Sequence, residues 1–326
     1  DAGGAGGGGP RWAGAPPGPA CDGRGGDRPT VTDANLLLGF LDADSPLAGG
    51  VRLDRAAAER AVGQLGEELG LSAAQTAAGI TRVASAEMGQ AVRVVTVERG
   101  IDPRDLALVA FGGAGPLHAA QIADELGMRR VLVPNASGVL SALGLVVSER
   151  RRDLVESVLL AGADLTRERV ASVVRRLGER GRRELGAPDA ELRATYDLRY
   201  AGQAFELSVS GELDPEPGEL RRAFDDAHDQ RYGYADPEAE LELVTVRVAA
   251  ALPGAELRPA ERAGAEERGT RRARFGDELR DARVLGAGEA DVQGPAIFEL
   301  PGSTLVVPPG WRAASTADSV AMERTR

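Results

Sequence analysis

Residues 1–30 carry no periodic apolar pattern and hold mostly Gly, Pro and Arg, so they read as loop. The pattern starts at Pro29-Thr30-Val31-Thr32-Asp33, where Thr32 or Asp33 is placed to cap a helix carrying Leu36, Leu37, Leu38, Phe40 and Leu41. Residues 54–69 and 72–98 repeat apolar side chains at helical spacing, which predicts two further helices, the second long and rich in Ala. Asp102-Pro103 stops that helix. Leu106-Ala107-Leu108-Val109-Ala110-Phe111 is then a continuous apolar run of the length expected for a buried parallel strand. It runs straight into Gly112-Gly113-Ala114-Gly115-Pro116, after which residues 117–126 read as a helix with Pro116 as its first residue, and Val131-Leu132-Val133-Pro134 as a second strand. Strand, glycine turn, helix and strand make a βαβ unit, which predicts an α/β domain over residues 1–152.

After Arg150-Arg151-Arg152-Asp153 the texture changes. A polar helix over 165–185 precedes alternating segments at 192–200, 204–209 and 241–250, and strands are predicted again at 296–299 and 304–307. Residues 153–326 are therefore expected to form a separate, strand-rich α+β domain with its own core.

The length of 326 residues and 43% hydrophobic content allow a large buried core and fit two domains. A formal charge of -11 argues against the basic footprint that nucleic acid or an anionic membrane requires. All 39 basic residues are Arg, so a phosphate-loop Lys, a Schiff-base Lys and a Lys general base are excluded. Any phosphate must be held by backbone N–H groups, Arg or a metal. With Cys21 the single cysteine, no disulfide forms within the chain, and a reducing cytoplasm is the expected setting. No apolar run is long enough to span a membrane, and the glycine-rich start lacks the charge and apolar stretch of a signal peptide.

Candidate chemistry centres on the glycine turn. Glycines between a buried strand and a helix let a ligand approach the backbone, and the helix start offers free N–H groups with a positive dipole end. The same turn also serves as a plain strand-to-helix crossing, and it matches neither the dinucleotide nor the Walker pattern. His118, in the first turn of the following helix, suits a general acid or a phosphate donor, or else packs locally; His228 reads as a solvated surface residue. Asp33, beside Thr32 and Asn35, suits Mg²⁺ as well as it suits a helix cap. Cys21 has no nearby His to activate it and reads as a structural or substrate-loop residue, while Trp311 reads as packing. Arg24, Arg99 and Arg104 flank the site and suit either an anion or the surface, while Tyr232 and Tyr234 read as core.

The segments Thr96-Val97-Glu98-Arg99-Gly100, Phe111-Gly112-Gly113-Ala114-Gly115-Pro116-Leu117-His118-Ala119 and Gly138-Val139-Leu140-Ser141-Ala142-Leu143-Gly144-Leu145 resemble the hydantoinase A / 5-oxoprolinase family. So do Gly18-Pro19-Ala20-Cys21, Thr30-Val31-Thr32-Asp33-Ala34-Asn35, Arg199-Tyr200-Ala201-Gly202-Gln203, Tyr232-Gly233-Tyr234 and Gly294-Pro295-Ala296-Ile297, in the family's order. Asp22, where an aromatic is usual, and Ser85, where Asn is common, depart from its pattern. The resemblance implies the later part of a partial actin-like ATPase lobe followed by an α+β, strand-rich C-terminal domain, with the family's first phosphate motifs expected before residue 1. It implies an ATP-dependent hydrolase of cyclic amides such as 5-oxoproline or a hydantoin, using ATP and Mg²⁺. Gly112, Gly113, Ala114 and Gly115 would meet the nucleotide, Asp33 the metal, and His118 the chemistry. A hydantoinase B-type subunit or domain is the implied partner, within an oligomer. Family members also include acetone carboxylase subunits, and a non-catalytic interaction subunit with a vestigial nucleotide site is the remaining alternative.

Overall fold

A computed structural model describes residues 13–45, 50–256, 264–316 and 318–325. The chain divides into two compact units, one formed by residues 1–143 with 258–326 and the other by residues 144–257.

The first unit opens with three helices whose ends are set by local chemistry. Thr30 caps α1 (Val31–Leu37) in a reciprocal box with Asp33. Asp54 caps α2 (Arg55–Leu69), and Ser72 with Gln75 boxes the start of α3 (Ala73–Val95). The apolar side chains of α1 face α2 and α3, burying Ala34, Leu38, Val62 and Ala77 together. The strand β1 (Leu108–Val109), α4 (Gly115–Leu126) and β2 (Arg130–Pro134) follow, and β1 pairs with β2 in parallel, giving the predicted βαβ unit. The chain leaves this unit through α5 (Leu140–Val147).

The second unit has its own core. Its strands are β3 (Arg150–Ala161), β4 (Glu191–Tyr200), β5 (Leu207–Gly211) and β6 (Leu241–Leu252), an antiparallel sheet in the order β3-β6-β4-β5. The helices α6 (Arg167–Leu185) and α7 (Pro217–Tyr232) pack on it, α6 against β3 and β6, α7 against β4 and β5. Val170, Val174 and Leu177 of α6 and Leu220 and Phe224 of α7 meet Tyr196, Leu198, Leu243 and Val246 of the sheet. Each of these large side chains contributes about 1.5–3 kcal/mol on burial.

The chain then returns to the first unit as β7 (Glu267–Phe275), β8 (Glu278–Leu285), β9 (Ala290–Gln293), β10 (Ala296–Leu300), β11 (Ser303–Val307), β12 (Trp311–Ser315) and β13 (Ser319–Arg324). Strands β9, β12 and β13 extend the β1–β2 pair into a five-stranded sheet, β1-β2-β13-β12-β9, and the other four form β11-β10-β8-β7. Val133 of β2 lies opposite Val320 of β13, and Val131 opposite Met322. These four side chains share a core with Ile122, Phe298, Leu305 and Trp311.

This arrangement differs from the expected division at residues 152 and 153. Strands β9, β12 and β13 lie beyond that point, yet they complete the sheet begun by β1 and β2, with β13 hydrogen-bonding along the second edge of β2. The strand expected over 106–111 is two residues long, and Val109 and Phe111 are exposed rather than buried. Thr30, not Thr32 or Asp33, is the cap of α1, and Gly115 precedes Pro116 in α4.

Candidate functional site

The glycine turn leaves β1 at the edge of its sheet and enters α4. Gly112 adopts φ of +80°, the left-handed region that a side chain disfavours, and its N–H donates to the Ser137 carbonyl at 2.8 Å. That bond ties the turn to the loop over residues 137–139. The loop in turn lies against Gly302, whose backbone stands 2.6 Å from where a Cβ on Gly138 would be, and Ser137 and Ser303 share a buried hydroxyl bond of 2.6 Å. The turn is thus braced from behind by backbone. On its open side Gly113 and Ala114 are exposed, and the N–H groups of Gly113, Ala114 and Gly115 have no partner among the described residues. They sit at the start of a twelve-residue helix with no side-chain cap, where the helix dipole adds a positive field. A Cβ added at Gly112 would meet nothing within 4 Å, whereas one at Gly113 would stand 3.5 Å from the Gly302 carbonyl and one at Gly115 3.9 Å from the Ala110 backbone.

Asp33 is fully buried in the first turn of α1. Its Oδ2 accepts from the Thr30 N–H at 2.8 Å, the Thr30 hydroxyl at 2.7 Å and the Ala20 N–H at 3.3 Å, and its Oδ1 accepts from the Cys21 N–H at 2.8 Å. Four donors on one carboxylate clasp the loop around residue 20 to the start of the helix. This is the cap reading of Asp33, extended to a second segment, and it leaves no oxygen turned toward solvent for Mg²⁺. No group of three or more His, Cys, Asp or Glu side chains among the described residues is arranged to hold a metal ion. The Cys21 thiol is buried beside this carboxylate; burial first, then hydrogen bonding to Asp33 and its charge, pushes its pKa well above the ordinary thiol range, so it stays protonated.

His118 is 3% exposed and joins three helices. Its Nε2 faces the Asn35 amide nitrogen of α1 at 3.4 Å, and its Nδ1 faces the Ser85 hydroxyl of α3 at 3.3 Å. Ser85 donates onward to Gln121 Oε1 at 3.1 Å. With Asn35 Nδ2 donating, Nε2 is the acceptor and Nδ1 carries the proton, which makes a one-way chain from Asn35 to Gln121. Burial holds the pKa of His118 below its ordinary value, so the ring is neutral. Both nitrogens are occupied, as a packing histidine requires.

Other expectations resolve in the same way. His228, expected on the surface, is buried in the second unit among Tyr200, Phe224, Tyr232 and Tyr234, with Nδ1 at 2.8 Å from the Tyr234 carbonyl and Nε2 at 3.1 Å from the Gln203 amide nitrogen. Tyr232 and Tyr234, expected in the core, are each about half exposed and screen that histidine instead. Arg104 is bound to Asp102 in an exposed pair, which lowers the carboxyl pKa to about 2. Trp311 is buried, as expected, and its indole N–H points to Asp124.

The structure joins the glycine turn to Ser137, Gly138, Gly302 and Ser303. Sequence reasoning singles out the segment from Gly138 but not Ser303, because the bracing contact spans well over a hundred residues and no local pattern encodes it.

No helix among the described residues is long and apolar enough to cross a membrane. Comparison with known proteins gives one family model, hydantoinase/oxoprolinase, matching residues 2–154. The caprolactamase subunit alpha of Pseudomonas jessenii is 36% identical over 94% of this chain and 48% of its own length. The acetophenone carboxylase gamma subunit of Aromatoleum aromaticum is 31% identical over 63% of this chain and 30% of its own. Among solved structures, nucleotide-free acetone carboxylase superposes with a TM-score of 0.84 over 94% of this chain and 48% of that one, at 22% identity, a likeness of fold. The chain spans about half the length of the curated relatives it matches over most of its own. With the glycine-turn segment inside the matched region and the fold in agreement, the chain belongs to the hydantoinase/oxoprolinase family.

Proposed function

We propose that this chain supplies one wall of the nucleotide site of an ATP-dependent hydrolase of cyclic amides, with Gly112 to Gly115 facing the nucleotide. The observation that carries the reading is the turn itself: the N–H groups of Gly113, Ala114 and Gly115, without a partner among the described residues, stand at an uncapped helix start, with Gly113 and Ala114 exposed and the turn braced from behind. In a chain without Lys, backbone donors of this kind are one of the means left for holding a phosphate, beside Arg and a metal.

An unstrained amide resists hydrolysis because its carbonyl is a poor electrophile and its nitrogen a poor leaving group. ATP, when bound, supplies a phosphoryl group on the amide oxygen that makes the carbonyl carbon electrophilic enough for water to add and for the ring C–N bond to break, its nitrogen taking up a proton. The residues of this chain contribute position and charge. Gly113, Ala114 and Gly115 offer fixed N–H donors that need no reorganisation as charge develops, and the Ser137–Ser303 bond with the Gly138–Gly302 contact keeps them aligned. His118 and Asp33 serve this reading by holding α1, α3 and α4 together, and no metal is assigned to them.

The exposed Val109, Phe111 and Leu132 supply the second part of the proposal. Val109 and Leu132 are register partners on one face of a parallel pair, a class of sheet normally covered on both sides. We assign that face to the polypeptide that supplies the rest of the relatives' length or to a second subunit of hydantoinase B type.

The test is Gly113→Val, measured on the natural protein that carries this sequence. Gly113 has φ suited to any residue, and its Cβ would sit 3.5 Å from the Gly302 carbonyl, so the fold should accept the change. Calorimetric titration with a non-hydrolysable ATP analogue should show affinity lost by about tenfold or more, with an unchanged melting temperature. Unchanged affinity would make the turn a simple crossing. ATP-dependent carboxylation of a ketone without amide hydrolysis would favour the carboxylase alternative.

A further inference from the structure

A cavity in the first unit shares no residue with the glycine turn. It encloses about 300 Å³ between the end of α1, the middle of α3, one face of α4 and the turn joining β7 to β8. Its walls are mostly apolar and well fixed. Leu38 and Val306 are buried, and Phe40 packs on Phe275 with ring centroids 5.4 Å apart. The Arg274 N–H donates to the Leu38 carbonyl at 2.8 Å, pinning the strand side of the cavity to the helix side.

Two cations line this space without acidic partners. The Arg82 side chain of α3 forms no hydrogen bond or ion pair among the described residues, and the Arg274 guanidinium donates to the backbone carbonyl of Asp277 alone. Elsewhere in the same unit Arg271 is held by both Asp42 and Glu299. The acid at the cavity edge, Asp124, is already engaged by Arg324 at 3.2 Å. Gln121 adds a donor, because its Oε1 accepts from Ser85 while its amide nitrogen has no partner.

Arg82, exposed on α3, and Arg274, partly buried, have no carboxylate partner among the described residues, and their planar forks match a carboxylate. Aromatic and aliphatic walls select an apolar body, and the volume lies at the small end of ligand pockets. We propose that this cavity binds a small organic carboxylate, its carboxyl taken by Arg82 and Arg274 and its apolar body lying against Phe40 and Phe275. The site stands apart from the nucleotide reading and does not require it.

Hexanoate is the probe, titrated calorimetrically into the full chain, with inorganic phosphate as an anion lacking an apolar body. Saturable one-site binding is expected, with Arg82→Gln and Arg274→Gln each weakening it by about tenfold. Phosphate should fail to displace hexanoate, whereas Gly113→Val should leave its affinity unchanged. Arg82 is exposed on its helix, so its variant should fold normally, as a thermal melt would verify. Absence of saturable binding by the folded chain, equal affinity in both Arg variants, or displacement by phosphate would each overturn the proposal.

Discussion

Asp33 and His118 are the side chains whose residue types most suggest chemistry and whose surroundings tie them into the fold. Asp33→Asn keeps the shape but turns an amide N–H₂ toward one or more of the four donors the carboxylate now receives. The expected cost is about 2–3 kcal/mol of stability, read as a lower denaturation midpoint, with nucleotide-analogue affinity of the folded protein unchanged. His118 gives a pH signature. Burial keeps its folded pKa below the ordinary 6.5, so the unfolded chain binds a proton first as pH falls. Its contribution to stability is therefore complete above pH 6.5 and lost as the pH drops through the lower, folded value. Comparing denaturant melts of the native chain and His118→Gln should show a steeper fall in the native protein, by up to about 1.4 kcal/mol per pH unit. Parallel curves would show that His118 is no more shielded than a surface histidine.

At the level of elements, helices were the most legible part of the chain. Ser72 with Gln75, Asp54 and Thr166 each sit where α3, α2 and α6 begin, because caps are local chemistry readable within four residues. Strands were less legible. The apolar run over 106–111 reads as a strand buried on both faces, but only Leu108 and Val109 pair, since β1 is an edge with its outer face open. His228 and the tyrosines near it exchanged places for a related reason: α7 is rich in charge overall, while one narrow stripe with Leu220, Phe224 and His228 faces the sheet. The glycine turn was legible as a ligand-compatible crossing, but its brace was not. Gly138→Ala tests that brace. The added Cβ would lie 2.6 Å from the Gly302 backbone, so one of the two loops must move. A loss of about 1–3 kcal/mol is expected, together with weakened nucleotide-analogue binding, although residue 138 lies outside the turn. Retained stability with retained binding would show that the two loops are not rigidly coupled.

The whole molecule is a chain that leaves one unit, builds a second, and returns. Local patterns register the change of texture near residue 150 but not the return, because a strand that completes a distant sheet looks the same as one that starts a new sheet. The return has a thermodynamic consequence. Residues 1–152 contain β1 and β2 but neither β13, which hydrogen-bonds along β2, nor Trp311, Phe298, Leu305 and Met322, which fill the core beneath it. Removing those four large side chains from the shared core forfeits roughly 6–12 kcal/mol of burial, comparable to the entire stability of an ordinary domain. A fragment of residues 144–257, by contrast, retains its four strands, both helices and the cluster around Tyr196 and Phe224. The second fragment should melt cooperatively by circular dichroism, while residues 1–152 should show no cooperative transition until residues 258–326 are supplied in trans. Cooperative melting of residues 1–152 alone would mean that β2 and α4 reach a stable core without the returning strands, and that the division at residue 152 describes the folding unit better than the contacts do.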